Sequence, residues 1–405
     1  MPFGDLPTDV FSQILAQADP KTLASCALVS QVCRLLTLQV LFHDLSITFV
    51  DPEFAAKQRS QTTYDERIPN REKTLEEFLE SIDDTRRIRK YVRTLSLRIS
   101  RKVKFDDIRP VDPVTIMKIL QHFPRVHHLH TFNIFVASGS RYATDLLPNP
   151  VLHSIHIEVG KQPSSGQFSV RLKTAHKVLG VLSIFDNIAD IVLDGMKFDE
   201  EDQHQDASVR ILRNGQVESL RILNGIHLPP ILRALTGTAT SRLKSFACGE
   251  LEPKELTEEQ CSLLPSCKNL LSLGMEITIP DIDTPPDEGD CEDFTWQAVS
   301  HLLAHPNIQY ASPEYTPPYP HLHNVTFWLA FLDSIHLEMS LYHPKSKSAM
   351  RTLDVFLSEL PNLGRVVFAL KIRGDPESFP IPGDAQHLLE AELPRLRAKG
   401  MLNFA

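Results

Sequence analysis

The heptapeptide YVRTLSL (residues 91–97) places apolar side chains at Val92, Leu95 and Leu97. The skeleton is apolar, two open positions, apolar, one open, apolar, and its second half alternates as a half-buried strand does. It returns at Leu152-Ile155-Ile157, Ile188-Ile191-Leu193, Val217-Leu220-Ile222, Leu243-Phe246-Cys248 and Leu270-Leu273-Met275. Leu332-Ile335-Leu337 and Leu363-Val366-Phe368 continue the series, whereas Val126-Leu129 keeps only the first half because Thr131 breaks it. From Val92 to Leu270 the starts lie 34, 26, 36, 29, 26 and 27 residues apart. Leu322-Val325-Phe327 also fits, but it falls too near Leu332 to be a separate full unit.

A short strand every 26 to 36 residues, with a helix-sized segment such as VTIMKILQHF between, has the period of a leucine-rich solenoid. Neighbouring strands are expected to stack into a curved parallel sheet with helices outside, an α/β fold. The Asn that regular leucine-rich repeats carry after the last apolar position is generally missing, so the array is irregular. An unrelated α/β domain is the competing expectation.

The first 47 residues read differently. Pro7 sits inside a helix start, and Val10, Phe11, Ile14 and Leu15 follow on one helical face. Asp19-Pro20 opens a second helix with the stripe Leu23, Ala27 and Leu28, and Ser30 caps a third carrying Cys33, Leu36 and Val40. Three helices in fewer than fifty residues bury too little surface to stand comfortably alone. Their apolar excess has to cover something, and helix-in-groove association with another helical protein suits it. Residues 48–73 are polar and read as a linker, after which Thr74 and Glu77 form a capping box. The expected organisation is 1–47, a linker over 48–73, and the repeat domain over 74–405.

The N-terminal pattern resembles the F-box: Leu6-Pro7, Ile14-Leu15, Leu23, Leu28-Val29-Ser30 and Leu41-Phe42 match in order, with Cys33 where the family carries tryptophan. The resemblance implies docking onto the Skp adaptor, and through it onto the cullin and RING subunits of an SCF ubiquitin ligase. Leu6, Pro7, Ile14, Leu15, Leu28, Val29 and Phe42 are the residues expected to contact the adaptor or support that contact. An F-box followed by degenerate leucine-rich repeats resembles a large group of fungal F-box proteins, in which the repeats recruit the substrate.

Bulk properties narrow the function. A formal net charge of −9 speaks against broad nucleic-acid binding, which needs a basic surface. No run of about 20 apolar residues is present, so no membrane span is expected. Without a secretory signal or a cysteine framework, the six cysteines are expected to be free thiols in the cytoplasm or nucleus. None of the short hydrolase, nucleotide-binding or metalloprotease motifs occurs, so the chain is not expected to be an enzyme or to use a cofactor.

The outward strand positions supply the candidate substrate surface: His130, His156, Glu158, Asp194, Arg221, Glu276 and Glu338. In register, His130 and His156 would share one column, a zinc site or a pH-sensitive partner contact. Their spacing is no short metal signature, and no metal is expected. Glu158, Asp194, Glu276 and Glu338 make a loose acidic column, better suited to a basic or neutral peptide than to a phosphorylated one. The acidic loops 198–206 and 280–293 read as solvated connections. Two functions remain: a substrate receptor of a ubiquitin ligase, or a stand-alone interaction scaffold whose N-terminal helices cap the solenoid.

Overall fold

The computed structural model describes residues 8–50, 74–99, 111–136, 151–160, 170–172, 180–185, 187–198, 217–223, 242–250, 267–278, 319–331, 344–372 and 378–405. These fall into two compact units, one of residues 1–162 and 177–186, the other of residues 163–176 and 187–405.

The first unit opens with three helices, α1 (Thr8–Ala16), α2 (Pro20–Cys26) and α3 (Gln31–Leu41). Local chemistry sets their starts. Asp19 Oδ1 accepts from the backbone N–H of Lys21 at 2.9 Å and of Thr22 at 3.1 Å, and Pro20 occupies the first turn, where no donor is missed. Ser30 Oγ accepts from the N–H of Cys33 and starts α3. Leu15, Leu23 and Leu36 form the helices' own core, with Phe11, Ala18, Cys26, Val40 and Leu41 packed around it. Leu28 does not join the α2 stripe: the helix ends at Cys26, and Leu28 lies exposed in the turn that follows.

The chain passes from α3 directly into a strand, β1 (Asp44–Phe49), which begins within the expected N-terminal segment 1–47 and crosses the expected start of the linker at residue 48. Then come α4 (Leu75–Ser81), β2 (Thr94–Ile99), α5 (Pro113–His122), β3 (His128–Phe132) and β4 (Val151–Glu158). The predicted capping box forms on α4: Glu77 N–H donates to Thr74 Oγ1 at 3.2 Å, and Thr74 N–H to Glu77 Oε2 at 3.0 Å. The strands β1 to β4 form a parallel sheet in chain order, aligned so that Ser96, His130 and His156 share one column. Val92, Leu95 and Leu97 are fully buried, as the skeleton requires. Thr131 does not interrupt it: β3 is intact, and Thr131 lies fully buried between Leu97 and Ile157. Partners on both sides hold the strand, so one polar residue at a core position lowers stability without ending the pairing.

The second unit holds β5 (Val170–Leu172), β6 (Asn187–Asp194), β7 (Met196–Phe198), β8 (Ser219–Leu223), β9 (Ser245–Glu250), β10 (Ser272–Thr278), β11 (Asn324–Phe331) and β12 (Arg365–Ile372). Strands β6, β8, β9, β10, β11 and β12 are parallel neighbours in that order, and β5 pairs with β7. Helix α6 (Pro344–Glu359) precedes β12, and β13 (Ser378–Phe379), α7 (Gly383–Glu392), α8 (Pro394–Ala398) and β14 (Leu402–Phe404) complete the chain. Strand β13 pairs antiparallel and β14 parallel with β12.

One device recurs at the strand entries of both units. Two successive N–H groups donate to one carbonyl of the preceding strand: Arg93 and Thr94 to His43, His127 and His128 to Arg93, His153 and Ser154 to His127. In the second unit Lys244 and Ser245 donate to Glu218, Leu271 and Ser272 to Lys244, His323 and Asn324 to Leu271, and Gly364 and Arg365 to His323. A carbonyl with two lone pairs can satisfy both donors where the chain bends into the sheet. In the second unit and at the entries of β3 and β4, the acceptor follows the first apolar residue of its skeleton. The series settles one ambiguity. Leu322-Val325-Phe327, not Leu332-Ile335-Leu337, supplies the strand after β10, and the latter lies outside the described residues.

Candidate functional site

Two surfaces carry the sequence candidates. The first is the N-terminal module. Of the nine large apolar side chains exposed among the described residues, six belong to it: Val10, Ile14, Leu28, Val29, Val32 and Leu35. Leu28 is 89 % and Val29 75 % exposed, in the turn where their N–H groups return to Ser25 and Cys26. Val10 and Ile14 lie one turn apart on α1, and Val32 and Leu35 one turn apart on α3.

Of the residues expected at the adaptor contact, Ile14, Leu28 and Val29 are exposed, while Phe42 is partly buried at the end of α3. Leu15, 2 % exposed, belongs to the inner core and can only support the surface. Leu6 and Pro7 lie outside the described residues. Val32 and Leu35, exposed as well, lie off the single stripe of Cys33, Leu36 and Val40 that the sequence predicts for α3. Their signal was present: α3 carries more apolar residues than one buried face can hold.

Residues 3–44 match the F-box domain. That match supports an F-box protein, and it suggests docking to the SCF adaptor and a substrate-receptor role. A comparison with curated proteins finds no match.

The second surface is the face of each sheet opposite the skeleton residues. In the first unit it carries His128, His130, Ser154, His156 and Glu158. The rings of His130 and His156 stack at 4.4 Å with an 11° angle between planes, as the shared column predicts. His130 Nε2 meets Glu158 Oε2 at 2.9 Å, and its Nδ1 lies 3.1 Å from Ser96 Oγ. The hydrogen bond from His130 holds the Glu158 carboxyl below its ordinary range, against partial burial, which pushes the other way. Next to this group the Phe132 ring lies over Gly160, so closely that a Cβ there would meet it at 2.2 Å. Asn133, in the left-handed region with φ 57°, accepts from the Gly160 N–H at 2.7 Å through Oδ1. These contacts fix the ends of β3 and β4.

In the second unit one member of the predicted acidic column is paired with a lysine. Glu276 is buried and meets Lys371 Nζ at 2.7 Å across the intervening β11. Trp328 lies on that strand, its ring against Gly274, where a Cβ would approach it to 2.5 Å. Asp194 is half-buried, Arg221 is exposed, and Glu338 lies outside the described residues. Lys371 and Trp328 carry no sequence signal of their own: their place follows from a register only the fold reveals. Buried Cys248 backs the same region, its thiol pushed far up by burial and further by the Glu276 charge. Among the described residues, no helix is long and apolar enough to cross a membrane.

Proposed function

We propose that the chain is the substrate-receptor subunit of an SCF-type cullin-RING ubiquitin ligase. The observation that carries this reading is the N-terminal module, which has its own small core yet leaves Ile14, Leu28, Val29, Val32 and Leu35 exposed. A monomer gains nothing from keeping such side chains in water, whereas the apolar groove of an adaptor would bury them. The rest of the chain acts as an irregular leucine-rich-repeat array that holds a protein substrate. Parallel strands in chain order and the recurring two-donor strand entry support the repeat reading.

The chain performs no covalent chemistry in this reading. It raises the local concentration of substrate lysines near the ubiquitin-charged enzyme. The setting is the cytoplasm or nucleus, where that machinery works.

The competing scaffold reading gives the N-terminal helices the task of capping the repeats. In that reading the helices would have to cover β1, which pairs with β2 and begins the strand order. The test is binding of the intact chain to purified Skp adaptor, with a Leu28→Ala/Val29→Ala variant alongside. Tight binding that the folded double variant loses is the expected result. No binding by the intact chain overturns the ligase reading.

A further inference from the structure

The His130, His156 and Glu158 group has an arrangement that ligase function does not call for. Each residue offers one donor atom, and these atoms lie within 4.8 Å of one another. Two neutral imidazoles and a carboxylate are a donor set that zinc takes with a position left open. Hard cations such as magnesium and calcium prefer oxygen ligands alone. We propose that His130, His156 and Glu158 bind a zinc-class divalent ion on the half-buried outward face of β3 and β4. The proposal does not rest on the ligase reading.

Three features beyond proximity support it. The ligands stand on adjacent paired strands whose ends are pinned by the Asn133–Gly160 hydrogen bond, which is a rigid mount. Ser96 Oγ lies 3.1 Å from His130 Nδ1, the place where histidine ligands commonly find a hydrogen-bond acceptor. A hydroxyl can donate or accept there. It therefore serves the metal-free tautomer, with Nε2–H pointing at Glu158, and the bound one, with Nδ1–H pointing at Ser96. Glu158 supplies the negative charge, and its oxygen already faces Nε2.

Binding requires a defined adjustment. Tetrahedral zinc with ligands at about 2.1 Å spaces them by roughly 3.4 Å, so donors up to 4.8 Å apart must close by about 1.4 Å. The stacked rings also hold their lone pairs in nearly parallel planes, which cannot meet at one ion, so one imidazole must turn about its Cβ–Cγ bond. The positive charge of Arg98 acts on Glu158 and opposes a cation. His128, two residues from His130 on the same face, is engaged with Ser154 at 2.7 Å.

The experiment titrates the metal-stripped full-length chain with zinc by calorimetry, and with cobalt by visible absorption. The expected result is one ion per chain, bound at low micromolar concentration or tighter, with cobalt bands of nitrogen–oxygen coordination. His156→Ala and Glu158→Gln should weaken binding at least tenfold. Ser96→Ala, which removes no ligand, should weaken it about tenfold by freeing the His130 ring. Far-UV circular dichroism confirms that each variant is folded, and Ser96→Ala keeps the test decisive should a ligand variant fail to fold. Three results overturn the proposal: no stoichiometric ion, unchanged affinity in the folded variants, or a thiolate-to-cobalt charge-transfer band, which would place the ion on cysteines.

Discussion

Leu28 and Leu15 are both leucines of the F-box pattern, thirteen residues apart, and the structure gives them opposite exposure. Leu28 is 89 % exposed, so replacing it with alanine removes almost nothing from the fold and should change stability by no more than about 0.5 kcal/mol. The same exposure makes it expensive to lose in a complex. Burying a leucine side chain is worth roughly 1.5–3 kcal/mol, and alanine retains only the Cβ of it. A loss of about 2 kcal/mol in adaptor binding corresponds to a Kd about 30-fold weaker. Leu15, 2 % exposed in the core with Leu23 and Leu36, behaves in reverse. Leu15→Ala should cost about 2–5 kcal/mol of folding stability, and any loss of binding should track the loss of helix. Calorimetric titration of purified Skp adaptor into each variant, with thermal melts followed by circular dichroism, separates the two effects. A folded Leu28→Ala chain that binds the adaptor within twofold of the parent would refute the assignment of this turn to the interface.

Thr131 Oγ1 is buried and finds no hydrogen-bond partner among the described residues, so Thr131→Val, nearly the same shape, should stabilise the first unit by about 1 kcal/mol in denaturant melts. Lys371→Met should destabilise the second unit by roughly 3–5 kcal/mol, because it strands the buried Glu276 charge, and adding Glu276→Gln should restore most of that; a single variant as stable as the parent would contradict the pairing. In the native chain Cys248 and Cys267, both buried, should resist iodoacetamide while the half-buried Cys26 and Cys33 react, with mass spectrometry of peptides as the readout. The Asp19 carboxyl is held below its ordinary range, first by the Thr22 hydroxyl. Its folded pKa is depressed, so the stability it lends α2 is present above the ordinary carboxylate pKa and fades as pH falls through the lowered value; Asp19→Ala should remove that acid dependence from helix signals followed by NMR.

What the sequence made legible was whatever local chemistry determines. Asp19-Pro20, Ser30 and the Thr74–Glu77 pair act on their own neighbours within four residues, and each caps the helix it announces. The apolar skeleton was legible for a related reason: period-two alternation sets one face inward whatever the partner strand. The His130–His156 column could be foreseen too, because two strands entered at the same skeleton position must align. The choice between Leu322 and Leu332 is different in kind. Both triplets alternate correctly, and what selects the first is a carbonyl of Leu271 that can reach His323 and Asn324, a long-range fact that no window of sequence contains.

The same distinction explains the N-terminal module. Periodicity puts Val10, Phe11, Ile14 and Leu15 on one helical side, but a core built of three short helices has room for only part of that side. Phe11 and Leu15 turn inward against Leu23 and Leu36, and Val10 and Ile14 are left out. A pattern of apolar residues therefore reports the sum of two demands, internal packing and external contact, and cannot divide them. The division needs a count of how many side chains three helices of 9, 7 and 11 residues can enclose. Once those places are filled, the remaining apolar residues are surplus to folding. Six of the nine exposed large apolar side chains among the described residues sit in this one small module, which is why the docking proposal is placed there and not on the sheets.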